Sequence, residues 1–490
     1  MRHSVVFSKS HFVMELAIPL FENREPLFRQ VYAGLRKAIL SGSLSAGERL
    51  PSTRDLAEQL GISRTVVVLA YDHLLAEGFV EGRRGSGTYV SSSLNRSTVG
   101  KPKKLSSLPL SRFGTAVAEA AHKLDFPNRP PSRLRYDFAF GRSDMSIFPF
   151  ETWRRISMRH ALKTSIREVD YGPAAGVPAL RDAICLHLRR SRAVVCDPSE
   201  VIVVSGAQQA LDLVTRILVD RGDPVAIEDP QYQGTKEVLR AAGARLVPVP
   251  VDREGVDPAK LPGRAKAVFV TPSHQFPTGA ILPLDRRLAL IEWANRRNAV
   301  IIENDYDGEF HYDGRPLESL QGLDTNGRTV YMGTFSRTIF PALRIGYMVV
   351  PKSLAPAFTT AKWLADQHSA ILEQQTLAEF ITSGLYERHL RRLRRRNAER
   401  RQALLNAIDD YLSGRVELSG DGSGTHVILW PKKSASEDEV IAKAASLSVG
   451  VYRISQYYLK KPSRTGFMLG YTTLNENEIR QGIRLLAEVL

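Results

Sequence analysis

The chain has 490 residues, a formal charge of +15, 43% hydrophobic and 24% charged residues, and two cysteines. Its length exceeds one ordinary core and asks for two or three domains, and its composition is that of a folded, water-soluble chain rather than a fibrous or disordered one. Two cysteines exclude a disulfide framework or a cysteine metal cluster and read as reduced thiols in a cytosolic protein; no run approaches the 18 apolar residues of a membrane span.

In chain order, residues 1–13 are expected to form a disordered tail, because Ser8, Lys9, Ser10 and His11 break any signal-peptide core. Residues 14–92 read as a small helical domain. Leu27, Val31, Leu35, Ile39 and Leu40 fall on one helical face. Pro51 and Ser52 start a second helix, with proline in the first turn and serine able to cap it. Leu56, Ala57 and Leu60 turn inward, Gly61 ends that helix, and Ser63 caps a third. Phe79-Val80, a basic glycine-rich turn from Arg83 to Gly87, and Thr88-Tyr89-Val90 make a hairpin.

This pattern is a helix–turn–helix with a wing. Ser63, Arg64 and Thr65 lie at the end of the third helix that would face base edges. Arg49, Ser52, Thr53 and Arg54 suit phosphate contacts, and Arg83 and Arg84 sit where a wing reaches the adjacent groove. A docking module with solvated arginines is the alternative. "GERLPSTRDLAEQLGISRTVVVLAY" and "LLAEGFVEGRRGSGTYV" closely resemble the winged-helix domain of GntR-type bacterial transcription factors, which implies operator DNA as a partner.

Residues 93–134 read as a basic flexible linker. Nine basic and two acidic residues fall between 93 and 135, against nine and eight over 17–92, so the excess charge is not a property of the small domain. From 135 to 490, Val/Ile-rich runs such as "EVIVVSG", "DPVAIEDP", "KAVFVTPS" and "NAVIIENDY" alternate with amphipathic stretches. The alternation predicts an α/β domain with a mostly parallel sheet and helices on both faces. "VVSGAQQALDLV" is a strand, a glycine turn and a helix start, so the free N–H groups at Ala207 and Gln208 make a ready phosphate site. In "GTFSRTIFPALRIGY", two hydroxyls, Thr334 and Ser336, and the Arg344 guanidinium also suit a phosphate dianion.

Taken together, "EDPQYQG", "TPSHQFPTG", "GTFSRTIFPALRIGY" and "GVYRISQYY" resemble fold-type I, class I aminotransferases from about residue 135 to the end. With the first domain, the chain resembles MocR/GabR-type regulators. That resemblance implies a cytoplasmic, head-to-tail homodimer with no membrane association, in which a small-molecule effector acts through the aminotransferase-like domain. It also implies pyridoxal phosphate contacts at Tyr232, Asn304 and Tyr306, beside Ala207, Gln208, Thr334, Ser336, Arg337 and Arg344.

The sequence departs from the family pattern at three places. Arg337 stands where the family has the lysine that bonds covalently to the cofactor, and a guanidinium is too weak a nucleophile for that bond. Asn304 stands where an aspartate pairs with the pyridine nitrogen; Asp305 is the candidate substitute, although strand neighbours point to opposite faces. Gln233 stands where some relatives have an arginine for an effector carboxylate; Arg453 is a second candidate for that role. His274 and His311 do not make a metal constellation, and no metal is expected. The resulting expectation is a DNA-binding regulator that senses pyridoxal phosphate, its amino-acid adduct or an amino-acid-like effector. Cofactor binding would be non-covalent, with no catalytic residues and no transaminase turnover. The rivals are an aminotransferase with a non-standard or absent lysine, and a DNA-binding protein with a dead sensor.

Overall fold

Apolar spacing alone accounts for the core of the winged-helix region. Val31, Leu35 and Ile39 of helix Leu27–Leu40 meet Leu56, Ala57 and Leu60 of helix Thr53–Leu60 and Val67, Ala70 and Leu74 of helix Arg64–Ala76. Each buried aliphatic side chain contributes about 1.5–3 kcal/mol. Leu27, expected on the same face, is 41% exposed because it opens the helix and overhangs the core. The structure, a computed structural model, describes residues 5–9, 12–16, 25–93, 109–121, 134–163, 170–312, 318–433, 436–462 and 464–490. It divides into two units, Met1–Pro109 and Leu110–Leu490.

Two details of the first unit differ from the sequence reading. Pro51 lies outside its helix: Ser52 is the N-cap, its hydroxyl accepting from Asp55 N at 3.2 Å, and the Pro51 carbonyl accepts from the Tyr71 hydroxyl at 2.8 Å. Ser63 occupies the N-cap of helix Arg64–Ala76 but makes no side-chain cap bond. The wing pairs Val80–Arg83 with Gly87–Val90, and Gly85 and Gly87 supply the left-handed backbone of its turn. Within residues 1–13, expected as a disordered tail, Val5–Lys9 pairs antiparallel with Phe12–Leu16. Val5, Val6, Phe7, Phe12 and Val13 carry high strand propensity, which outweighs the polar residues between them.

In the second unit the main sheet runs, edge to edge, Val201–Val204, Gly346–Val349, Thr329–Thr334, Val300–Asp305, Ala267–Val270, Pro224–Asp229, Arg245–Asp252 and Gly255–Val256. The five strands from Thr329–Thr334 to Arg245–Asp252 are mutually parallel. Gly346–Val349 is antiparallel to both neighbours. Only a 3-10 turn, Pro341–Leu343, lies between it and Thr329–Thr334, and a parallel return would need a longer crossover. Apolar clusters cover both sheet faces. Cys185 and Cys196 are buried in one of these, with their sulfur atoms 2.9 Å apart.

An antiparallel sheet of Val416–Ser419, His426–Pro431, Phe467–Gly470 and Tyr452–Arg453 packs with helices Glu437–Ser446 and Glu476–Leu486. The arginine-rich helix Leu385–Leu412 buries Leu390, Leu393, Leu404 and Ile408; Arg396 pairs at the surface with Glu476 at 2.9 Å, and Arg400, itself buried, pairs with Asp144 at 2.7 Å. Part of the expected 93–134 linker is ordered: helix Arg112–Ala120 starts at Ser111, whose hydroxyl accepts from Gly114 N at 3.0 Å, and packs against helix Gln233–Ala241. The serine cap and the spacing of Phe113, Val117 and Ala120 carry that helix; the surrounding basic residues obscure it in the sequence.

Candidate ligand pocket and DNA-reading face

On the first unit, Arg49, Ser52, Arg54, Ser63, Arg64, Thr65, Arg83 and Arg84 are exposed and Thr53 is half-buried. Arg64 reaches back from its helix to donate to the Thr53 hydroxyl at 3.3 Å, joining the two helices of the motif at their N-terminal ends. Arg49 lies against Gly87, where a side-chain carbon would approach its Nε to 3.1 Å. Arg83 stacks on Tyr89 at 4.4 Å and pairs with Glu81 at 2.9 Å, whereas Arg84 is exposed at the wing tip.

In the second unit the expected cofactor contacts meet around the anchor loop, residues 334–344. Gly206, at φ +81°, caps helix Ala207–Leu218 and leaves no room for a side chain: an added carbon would stand 2.9 Å from Arg344. Arg344, itself left-handed at φ +52°, donates to the Ser205 carbonyl at 2.7 Å. Thr334 donates to the Ser336 hydroxyl at 3.1 Å and accepts from the Ser336 backbone N–H at 3.2 Å. The arrangement is a concave group of donors at a helix N-terminus, suited to a phosphate. Gln208 is exposed beside it, its side-chain oxygen directed at Gly234. Tyr232 caps helix Gln233–Ala241; burial raises its phenol pKa, and the nearby charges of Arg337 and Arg344 oppose the shift.

The other end of the pocket is more deeply buried. Arg337 lies over the Phe140 ring at 4.1 Å and 5.7 Å from the centre of Tyr306. Its Nε is 3.9 Å from Asp307 Oδ1, and its Nη1 has no hydrogen-bond partner. The Ser143 hydroxyl donates to the Arg337 carbonyl and pins the backbone. Asn304 Oδ1 and the Tyr306 hydroxyl are also buried without partners. Burial pushes the Tyr306 phenol well above its usual range; Asp307 adds to the shift and Arg337 opposes it. Buried polar atoms are normally paired, so this concentration of unpaired ones marks a place built for a guest.

Asp305 does not substitute for Asn304. It faces the opposite side of the strand, accepting from Arg192 Nε at 2.7 Å and the Tyr331 hydroxyl at 2.6 Å. Arg453 pairs with Asp438 at 2.5 Å. Gln233 is half-buried at the first position of its helix. Three neighbours escaped the sequence reading. Phe140 and His426 stand in stretches with no recognisable motif, and Asp307 was visible only as part of "ENDYDGEF". His274 lies with His426 and Asp307 in one buried group.

Comparison with known proteins gives the same division. Residues 27–90 match the family described as bacterial regulatory proteins, gntR family, and residues 139–484 match aminotransferase class I and II. The probable rhizopine catabolism regulatory protein MocR of Rhizobium meliloti is 39% identical over 94% of this chain and 93% of its own. The chain belongs to the MocR/GabR-type family. The pyridoxine biosynthesis regulator PdxR of Corynebacterium glutamicum is 32% identical over 94% of each chain. Among solved structures, the α-aminoadipate aminotransferase LysN of Thermus thermophilus, complexed with N-(5'-phosphopyridoxyl)-L-leucine, superposes with a TM-score of 0.67 at 28% identity. That match covers 76% of this chain and 94% of LysN. The MocR/GabR-type chain thus joins a winged helix to an aminotransferase fold of type I, and no described helix is long and apolar enough to cross a membrane.

Proposed function

We propose that this chain is a transcription regulator that binds operator DNA through its winged helix. Its aminotransferase-like domain senses a phosphate-bearing pyridoxal ligand, or an amino-acid adduct of one, without covalent capture and without turnover. MocR and PdxR are named as regulators, and LysN was solved with a phosphopyridoxyl amino acid, which supports a ligand of that class. Gly206, Ala207, Thr334, Ser336 and Arg344 would hold the phosphate, with Tyr306 and Asn304 beside the ring.

When bound to a lysine, such a cofactor supplies an electron sink for amino-acid chemistry. The residues here fit its phosphate and do not fit its covalent attachment. The observation that carries the reading is Arg337 in the anchor loop: a permanent cation over Phe140, facing Asp307, with no nucleophilic nitrogen. Asn304 offers the ring an amide rather than a carboxylate. Arg337 adds positive charge to a pocket that already favours anions. The working form is expected to be a cytoplasmic homodimer, and a small-molecule signal would alter how its two winged helices engage DNA.

The test is borohydride reduction of full-length protein saturated with pyridoxal phosphate, followed by intact mass measurement. Wild-type protein should gain no cofactor mass at this site, and Arg337→Lys should gain one cofactor per chain. A wild-type adduct mapped to the pocket would overturn the reading.

A further inference from the structure

Beneath Arg337 lies a cluster that the ligand reading does not use. His274 follows strand Ala267–Val270, Asp307 follows Val300–Asp305, and His426 opens strand His426–Pro431 of the other sheet. All three are buried, and one potential ligand atom from each lies within 4.8 Å of the other two. In each residue one polar atom, His274 Nε2, His426 Nδ1 and Asp307 Oδ1, is buried without a hydrogen bond. The opposite atom of each residue is engaged. His274 Nδ1 meets the Ser423 hydroxyl at 2.9 Å, His426 Nε2 meets the Pro277 carbonyl at 2.7 Å, and Asp307 Oδ2 accepts from the Thr425 hydroxyl at 2.8 Å.

The Pro277 carbonyl can only accept, so His426 Nε2 must carry the proton and Nδ1 presents a lone pair inward. Asp307 Oδ1 is likewise an acceptor. Two unpaired acceptors therefore sit in one buried cluster with His274 Nε2, an arrangement that is costly until a cation or a donor enters. Gly424, whose φ is +79°, lets the His274 ring pack directly against the backbone: a side-chain carbon there would stand 2.3 Å from Nε2.

We propose that His274 Nε2, His426 Nδ1 and Asp307 Oδ1 form a site for one divalent transition-metal ion of the zinc class, in competition with the guanidinium of Arg337 for Asp307. Two imidazoles and one carboxylate select a borderline metal over magnesium or calcium, which prefer all-oxygen sites. Ligand bonds of about 2.0–2.2 Å require the three side chains to draw together around the ion. The outer bonds from Ser423, Pro277 and Thr425 already fix their orientation, as outer partners do at metal sites. Arg337 is the only cation within ion-pairing distance of Asp307 among the described residues, at 3.9 Å, and no side-chain hydrogen bond holds it there. It can therefore yield to a metal by rotating away.

The test uses full-length protein stripped with a chelator, equilibrium dialysis against Zn2+ with elemental analysis, and Co2+ absorption as a reporter. The expected result is one metal per chain, with Co2+ bands that Zn2+ displaces. His274→Gln and His426→Gln, checked as folded by circular dichroism, should each weaken binding by at least the ~10–100-fold that loss of an outer partner costs, and Ser423→Ala by about 10-fold. Arg337→Met should bind more tightly. Wild-type protein that retains no stoichiometric Zn2+ or Co2+ overturns the proposal. So does metal binding that both histidine variants leave unchanged.

Discussion

Neighbouring residues 304 and 305 sit on opposite faces of one strand and have opposite fates. Asp305 is 5% exposed; its Oδ2 is held by Arg192 and Tyr331 inside the protein, while its Oδ1 has no hydrogen bond. Asn304 points to the face that carries the anchor loop and keeps an unpaired oxygen. The alternation of side chains along a strand thus divides a structural polar group from one reserved for a guest. Here the carboxylate closed by an ion pair is scaffold, and the amide oxygen without any partner is the one offered to a guest.

The sharpest way to break that comparison is to truncate each neighbour. Asp305→Ala leaves Arg192, 4% exposed, without its carboxylate and should cost about 3–5 kcal/mol of stability. Asn304→Ala removes an oxygen that bonds nothing and should stay within about 1 kcal/mol of wild type. Urea denaturation of the two variants checks both values. Equal losses would mean that partner counting does not separate scaffold from site here.

A second contrast lies between the ends of the pocket. The phosphate end is made of backbone N–H groups, hydroxyls and one exposed guanidinium, and the ring end of buried side chains. Arg344→Ala should weaken a phosphate-bearing pyridoxal ligand by about 10–100-fold, the worth of one charge-assisted bond at roughly 1.5–3 kcal/mol. Calorimetry with pyridoxal phosphate and with unphosphorylated pyridoxal measures it, and only the phosphorylated ligand should respond. Similar losses for both would move the phosphate elsewhere.

The same contrast explains what the sequence could and could not disclose. Ala207, Gln208, Thr334, Ser336 and Arg344 could be singled out from the sequence because a glycine turn before a helix and a short loop between adjacent strands are local features. The winged helix was legible because its core follows helical spacing and its turns fall at glycines. Phe140, His426 and Asp307 come from three distant segments, and no spacing rule joins them. Arg453, a candidate from its sequence neighbourhood, is paired with Asp438 of a neighbouring helix, a partner that no spacing rule discloses. Helix Arg112–Ala120 was hidden by charge: the basic residues around it read as linker, while Ser111 caps it and Ala120 is buried.

The smallest expected effect separates two roles at Ser52. The sequence reading gave it to DNA phosphate, and the structure uses its hydroxyl to cap helix Thr53–Leu60 through Asp55 N at 3.2 Å. Aspartate caps about as well as serine, whereas alanine does not cap. Ser52→Ala should therefore lose about 1 kcal/mol of stability in this exposed cap. Ser52→Asp should keep the stability but place a negative charge where a phosphate would approach. If Ser52 faces DNA, the aspartate variant weakens operator binding despite its intact fold, and its deficit shrinks as added salt screens the repulsion. If Ser52 is a cap and nothing more, the aspartate variant binds like wild type and only the alanine variant is impaired. Arg54→Ala provides the reference, since a lost phosphate contact reduces the salt slope of binding by about 1 without touching the cap.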